Sequence, residues 1–195
     1  MAAIQEEAMT RSDYLAIIDA YGGYFKLREF EIQDSIDSMD LGFLQSFLAW
    51  RQWTGIPTMI TSAWRGDDTG SHGNGKAIDC LLFSRWKSEQ ISALNHWLLA
   101  TTWPFQGVGL YVDWSYKCSK SKAGIPAVGL HVDGWSGNSN KQRPLRWLRM
   151  DGLYYYQSVM NGTFYCKTNQ QTITLDHALK AYETRVQAIN QTPTV

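Results

Sequence analysis

The sequence predicts an α+β fold: a small, mostly antiparallel sheet flanked by helices. Three observations carry this expectation. Apolar residues recur at helical spacing near both ends of the chain, short β-branched segments fill the middle, and glycine-rich or Asp-Gly turns separate those segments. With 195 residues the chain is long enough for one compact domain and an extension.

Residues 11–21 predict a short helix, and YFKLREFE follows the Gly22-Gly23 break. In LGFLQSFLAWRQWTG, Leu41, Leu44, Phe47 and Leu48 make one helical stripe that stops at Gly55 and Pro57. TMITSAW is short and β-branched, a strand running into the turn-rich RGDDTGSHGNG, and KAIDCLLF is a second, buried strand. Helical spacing returns in SRWKSEQISALNHWLLATTW through Ile91, Leu94 and Leu98, with Ser84 or Ser88 available as cap. GVGLYVDW and AVGLHVDGW are two further strands around a Lys/Ser/Gly loop, and LRWLRMDGLYYYQ is a hairpin turning at Asp151-Gly152. The last helix puts Leu175, Leu179, Tyr182, Val186 and Ile189 on one face behind a Thr174 cap.

Composition excludes several classes of function. Hydrophobic content is 44% and charged content 18%, which suits a folded chain and not a disordered one. Lys plus Arg equals Asp plus Glu, 18 each, so no bulk field recruits nucleic acid or an anionic membrane; Lys117, Lys120 and Lys122 suit a solvated loop. No apolar run reaches the length of a membrane span, and MAAIQEEAMTRSDY lacks the features of a secretory signal. The expectation is a protein made in the cytoplasm without a signal peptide or stable membrane insertion. Cys80, Cys118 and Cys166 form no CxxC pair, so reduced thiols are favoured, with a Cys118–Cys166 bridge open in an oxidising compartment. Nine tryptophans suit either stacking on sugar rings or an aromatic-rich core, and buried area favours the core.

The chemistry concentrates in SHGNGKAID and GLHVDGW. His72 ends a loop, Asp79 lies in a strand, and Gly73 and Gly75 let the chain between them fold back. A catalytic zinc site takes three protein ligands and leaves a fourth position open, and His131 supplies the third. Asp133 shares a strand face with His131, where it either orients that histidine or moves a proton. His96 and His177 have no partners at ligand spacing and are read as surface or packing residues.

These segments resemble the zinc D-Ala-D-Ala carboxypeptidase family of peptidoglycan metallopeptidases, in its phage and bacterial branch. The family shares its metal site with lysostaphin-type enzymes and the hedgehog signalling domain. GSHGNGKAID is similar to the family's S-x-H-x-x-G-x-A-x-D: it keeps His72, Gly75, Ala77 and Asp79, while Gly70 stands where the serine belongs and Ser71 follows it. YFKLREFE, GIPTMITSAWR, GVGLY with GLHVD, and RWLRMDGLYYY resemble further family segments in the family's order, over about residues 20–156.

The resemblance implies a hedgehog/D-Ala-D-Ala-peptidase-like domain over residues 1–156. Residues 157–195 are a C-terminal extension whose amphipathic helix packs on the same domain or docks to a virion protein. It implies one Zn2+ per chain on His72, Asp79 and His131, and substrate binding by Ser62 and Arg65. Arg65 would hold a carboxylate or polarise the attacked carbonyl, as a planar, permanent cation can. Several members carry an acidic base three residues before the last histidine; Val128 stands there, which leaves Asp133 as the acid/base. The function implied is hydrolysis of amide bonds in peptidoglycan stem or cross-bridge peptides, by a phage enzyme of lysis or of wall opening during infection. The alternative is a non-catalytic structural or wall-binding virion protein that retains the fold.

Overall fold

Two-residue alternation along the central strands gives the sheet one apolar face and one face that carries polar and aromatic groups. The computed structural model describes residues 9–31, 36–82, 93–118, 121–134, 144–158 and 162–190. In chain order these form α1 (Arg11–Ala20), short 3-10 turns at Leu27–Glu29 and Ile36–Ser38, α2 (Leu41–Thr54), β1 (Thr58–Ser62) and β2 (Ala77–Leu82). Then follow α3 (Ala93–Thr102), β3 (Gly107–Tyr111), β4 (Ser115–Cys118), β5 (Ser121–Pro126) and β6 (Val128–Asp133). The chain continues with β7 (Leu145–Met150), β8 (Leu153–Gln157), β9 (Phe164–Cys166), β10 (Gln171–Ile173) and α4 (Leu175–Asn190).

The combination of helices and sheet agrees with an α+β class, but the expected small, mostly antiparallel sheet is corrected. The sheet has eight strands in the order β1-β2-β6-β3-β7-β8-β9-β10 and is mixed, because β3 and β7 run parallel. Two features hid this from the sequence. The short segments after residue 157 bond on as β9 and β10, and β6 inserts between β2 and β3. A division between residues 156 and 157 falls inside β8. The Lys/Ser/Gly segment expected as a loop is a separate two-stranded ribbon, β4–β5.

The apolar face packs on the helices. Ile78 and Cys80 of β2, Val108 and Leu110 of β3, Val128, Leu130 and Val132 of β6 and Leu148 of β7 are buried in one cluster with Leu44, Phe47 and Trp50 of α2. Rings continue that cluster: Phe25 stacks on Phe47, Phe47 on Trp50, and Trp50 meets Phe105 edge-on at 6.0 Å. Helix α2 starts where the Asp40 side chain accepts from Phe43 N at 2.9 Å and ends at Gly55 with φ 65°.

Helix α3 departs from the expected stripe. Trp97 and Ala100 are the residues buried on the core, and Leu98 is exposed. Ser84, Ser88 and Ile91, like the side chains of Leu94 and His96, lie outside the described residues. The β7–β8 hairpin does turn at Asp151 and Gly152, both with positive φ, which closes the Met150–Leu153 pair in two residues. Helix α4 begins with Thr174 Oγ1 accepting from His177 N at 3.2 Å and lays Leu175, Leu179 and Tyr182 on the core. Arg185 then donates to Trp114 O at 3.1 Å and Ser115 Oγ at 3.0 Å. The side chains of Val186, Ile189, Lys117, Lys120, Lys122 and Cys118 lie outside the described residues. Cys166 is a buried free thiol, as is Cys80. No described helix is long and apolar enough to cross a membrane.

Asp40 ties two regions together, because it caps α2 and lies 3.4 Å from Lys76, just before β2. Asp40→Ala is expected to lower stability by about 1 kcal/mol through loss of the cap. Urea denaturation measures this, and an unchanged midpoint would remove the cap from the account.

Candidate metal centre

The polar face of the sheet holds one transverse row of side chains. Strand pairing sets Ser62 opposite Asp79, Asp79 opposite His131, His131 opposite Gly109, Gly109 beside Trp147, and Trp147 opposite Tyr156. Paired residues share a face, so the row is fixed by backbone hydrogen bonds before any side chain chooses a rotamer. Asp133, two residues beyond His131, lies on the same face with Gly107 opposite it.

The glycines of this face are spaces. A Cβ on Gly109 would fall 2.3 Å from the Trp147 indole nitrogen, and one on Gly107 would fall 2.0 Å from an Asp133 carboxylate oxygen. With no side chain at Gly107 and Gly109, Trp147 and Asp133 lean in from both sides. Trp147 thereby comes to 5.0 Å from the His131 ring, centroid to centroid.

His72 reaches the row from the loop between β1 and β2. That loop is bonded to itself and to its flanks: Arg65 N donates to His72 O, Lys76 N to Ser71 O at 2.9 Å, and Trp64 Nε1 to Gly73 O at 3.1 Å. Gly75 has φ 67°, and a Cβ there would lie 2.1 Å from Ser38 O, so only glycine lets the loop rest on the start of α2. Residues 73 and 75 therefore fold the chain back as their glycines suggest.

His72, Asp79 and His131 come together and all three are buried. One potential ligand atom from each lies within 4.8 Å of the others. His131 Nδ1 is 2.7 Å from Asp79 Oδ1, and its Nε2 is 3.3 Å from Asp133 Oδ2. His72 Nδ1 lies 2.6 Å from Ala63 O, a contact that places the proton on Nδ1 and a lone pair on Nε2. That Nε2 is buried without a hydrogen bond, although Asp79 Oδ2 is only 3.2 Å away. That separation fits either a proton on Nε2 shared with Asp79 or a metal ion taken by both atoms. The group can hold a metal ion, and imidazole and carboxylate donors suit Zn, Fe, Ni or Cu.

Without a metal, protons do part of this work. Burial pushes the Asp79 pKa up, but His131 and His72 outweigh it and hold the carboxyl well below its ordinary range. Burial pushes His131 down, but Asp79 and Asp133 outweigh it and raise it to about 9.

Of the other expected site residues, Arg65 lines the cavity beside the cluster, with Nη2 3.3 Å from Asp79 Oδ2 and Nε 4.0 Å from Asp68 Oδ2. Ser62 is buried next to Asp79 with an unbonded hydroxyl, and it does not line the cavity. Asp133 is buried and lines it. His177 is exposed on α4.

Sequence reasoning missed the aromatic wall. A cavity of about 550 Å³ over the cluster is also lined by Tyr111, Trp114, Trp147, Arg149, Tyr154 and Tyr156. Arg149 pairs with Asp113 at 3.1 Å and lies 5.8 Å from both the Tyr111 and Tyr154 ring centres. Alternation in LRWLRM and LYYYQ carried the signal, since Trp147 with Arg149 and Tyr154 with Tyr156 each fall on one face. Comparisons of the chain with protein-family models, curated proteins and solved structures found no match.

The raised His131 has a consequence for the metal-free protein. Its folded pKa of about 9 exceeds the unfolded value of about 6.5, so its contribution is complete below about pH 6.5 and lost as pH rises through about 9. The thermal midpoint of chelator-treated protein is expected to fall across that window, and bound metal, which replaces the proton, should remove the fall. Calorimetry with and without metal tests this; a flat metal-free profile would contradict the clasped-imidazole arrangement.

Proposed function

We propose that the chain is a zinc-dependent peptidase, a carboxypeptidase or endopeptidase, that hydrolyses amide bonds in bacterial peptidoglycan peptides. Its role would be that of a phage enzyme of lysis or of wall opening. The observation that carries this reading is the buried His72 Nε2, which faces Asp79 without a hydrogen bond while His131 Nδ1 faces the same carboxylate. Buried polar atoms rarely lack partners, and three buried ligand-type side chains whose donor atoms lie within 4.8 Å of one another are an arrangement that a metal ion would fill. The resemblance in SHGNGKAID and GLHVD supplies the choice of zinc and of substrate.

His72, Asp79 and His131 would hold the zinc, which when bound would supply an activated water at neutral pH. The chain's own residues do the rest. Ala63 O holds His72 in the tautomer that leaves Nε2 free for the metal, and Asp133 can hold His131 Nε2–H so that Nδ1 is free for it. Arg65, on the rim of the cavity, binds a substrate carboxylate or stabilises the negative charge that develops on the carbonyl oxygen. Asp133, which lines the cavity together with Asp68 and Asp79, would carry a proton to the leaving amine.

A specific observation favours a second reading, a non-catalytic wall-binding or virion protein. Val128 lies three residues before His131, so strand alternation turns it to the apolar face, where it is buried beside Leu130 and Val132. No base can act from that position. Asp133, the substitute, is already in contact with His131 Nε2.

The two readings separate on isolated cell walls with and without chelator. Zinc-dependent release of new amino groups is expected, and none from zinc-saturated protein would leave the binding reading. One zinc per chain is expected, lost in His72→Ala and His131→Ala; stoichiometric zinc in both variants by elemental analysis would overturn the ligand set. Arg65→Ala should keep zinc and fold but lose at least about tenfold in rate, as a charge-assisted contact implies. Asp133→Asn distinguishes two roles. A proton carrier predicts a rate loss of about 10²- to 10⁴-fold with zinc still bound. An orienting role predicts zinc affinity weaker by about 10- to 100-fold and a rate that excess zinc restores.

A further inference from the structure

The transverse row does not stop at the metal cluster. Tyr156 stands opposite Trp147 on one side and Tyr165 on the other, so His131, Trp147, Tyr156 and Tyr165 continue outward across β6, β3, β7, β8 and β9. Trp147 and Tyr156 rings are 6.4 Å apart. Tyr154, Tyr156 and Tyr165 are 43%, 38% and 42% exposed, a concentration of open aromatic surface on neighbouring strands. A sheet face turned to solvent ordinarily carries polar residues, and clustered exposed apolar surface marks a binding site.

A cavity of about 1150 Å³ lies over this strip and adjoins the metal cavity along Leu145, Tyr154 and Tyr156, which line both. Its other lining includes Gln157, Ser158 and Lys167, and no carboxylate among the described residues. We propose that this strip is a glycan-binding subsite: it holds pyranose rings of the polymer whose peptides reach the metal cluster. The proposal rests on the peptidoglycan reading above.

The chemistry of the surface selects the ligand. A tyrosine ring offers a flat apolar face with a hydroxyl at its rim, which matches the C–H face and the surrounding hydroxyls of a pyranose. Neutral amide and hydroxyl side chains beside it suit sugar hydroxyls and acetamido groups, and Lys167 suits an acidic substituent. A peptide gains most on a sheet by adding a strand to a free edge. Here Tyr156 is paired with Trp147 on one side and Tyr165 on the other, and Tyr165 with Tyr156 and Thr172, so at these two rings the strands offer no free edge to a peptide. What remains is ring stacking from above, spaced by the strands.

The test uses the full chain and a β-1,4-linked N-acetylglucosamine tetramer, which carries no peptide. Binding followed by calorimetry is expected, with Tyr156→Ala and Tyr165→Ala each weakening it about two- to tenfold and Tyr165→Phe preserving it. Tyr24→Ala, at an exposed tyrosine outside both cavities, should leave binding unchanged. Tyr165 is exposed on a short strand, so its variants decide the matter even if Tyr156→Ala loses its fold. No binding by the unmodified chain would overturn the proposal, as would equal affinity in both alanine variants. A rise in KM for a sugar-free stem peptide in those variants, with tetramer binding unchanged, would assign the strip to peptide and overturn it too. Cleavage of the sugar-free peptide without tetramer binding would sink the glycan subsite alone. Tetramer binding by a chain that cleaves no wall peptide would sink the peptidase reading and leave the subsite standing.

Discussion

The carboxylate of Asp79 is the contact on which the site depends. It sits buried on β2 with an imidazole facing each oxygen, and the Arg65 guanidinium also approaches Oδ2. A buried anion is tolerated only when positive charge or donors compensate it. That need explains the arrangement around it. The β1–β2 loop has to fold back to bring His72, and β6 has to pair with β2 in the register that sets His131 opposite. A one-residue slip of β6 would turn His131 into the apolar core and Leu130 toward the carboxylate.

The rest of the polar face follows from side chains and their absence. On β3 the outward positions before Tyr111 are Gly107 and Gly109, and the room they leave is filled by Asp133 and Trp147 from the strands on either side. The indole thus lies against one side of His131, and the cavity between the aromatic wall and Arg65 opens onto the cluster. The lower dielectric that results strengthens each charge contact inside. The apolar face of the same strands holds the position to α2, so the site stands on a rigid floor.

Much of this could be read from the chain. Helical spacing located α2 and α4, and alternation in KAIDCLLF and AVGLHVDGW located the strands with Asp79 and His131 on them. The candidate group of His72, Asp79 and His131 was legible because metal chemistry restricts residue type as well as spacing. Strand order was not legible. Nothing in the spacing of 107–111 and 145–150 says that they pair in parallel, since pairing is a long-range choice made by burial of both faces. The short β9 and β10 are three residues each, too brief for a periodic signal. Helix α3 shows the limit of an apolar stripe: Leu98 fits one by spacing, but the bulk of Trp97 takes the core side. The aromatic wall was written in the sequence as alternate residues, yet its place beside His131 shows only in the fold.

The ligand group joins parts of the chain that are very different in their separation. His72 and Asp79 flank one tight loop, whereas His131 lies 52 positions beyond Asp79. A metal ion gripping all three would therefore act as a staple closing a long loop, and cross-links of that kind cost the unfolded chain more entropy the more residues they enclose. Such a staple would add to the β2–β6 pairing and the core packing that already hold β1 and β2. In a bathing medium that supplies metal, binding at the site would add to the resistance to proteases and heat that the core gives. In a chelating one, the β1–β2 edge would be the first part to loosen.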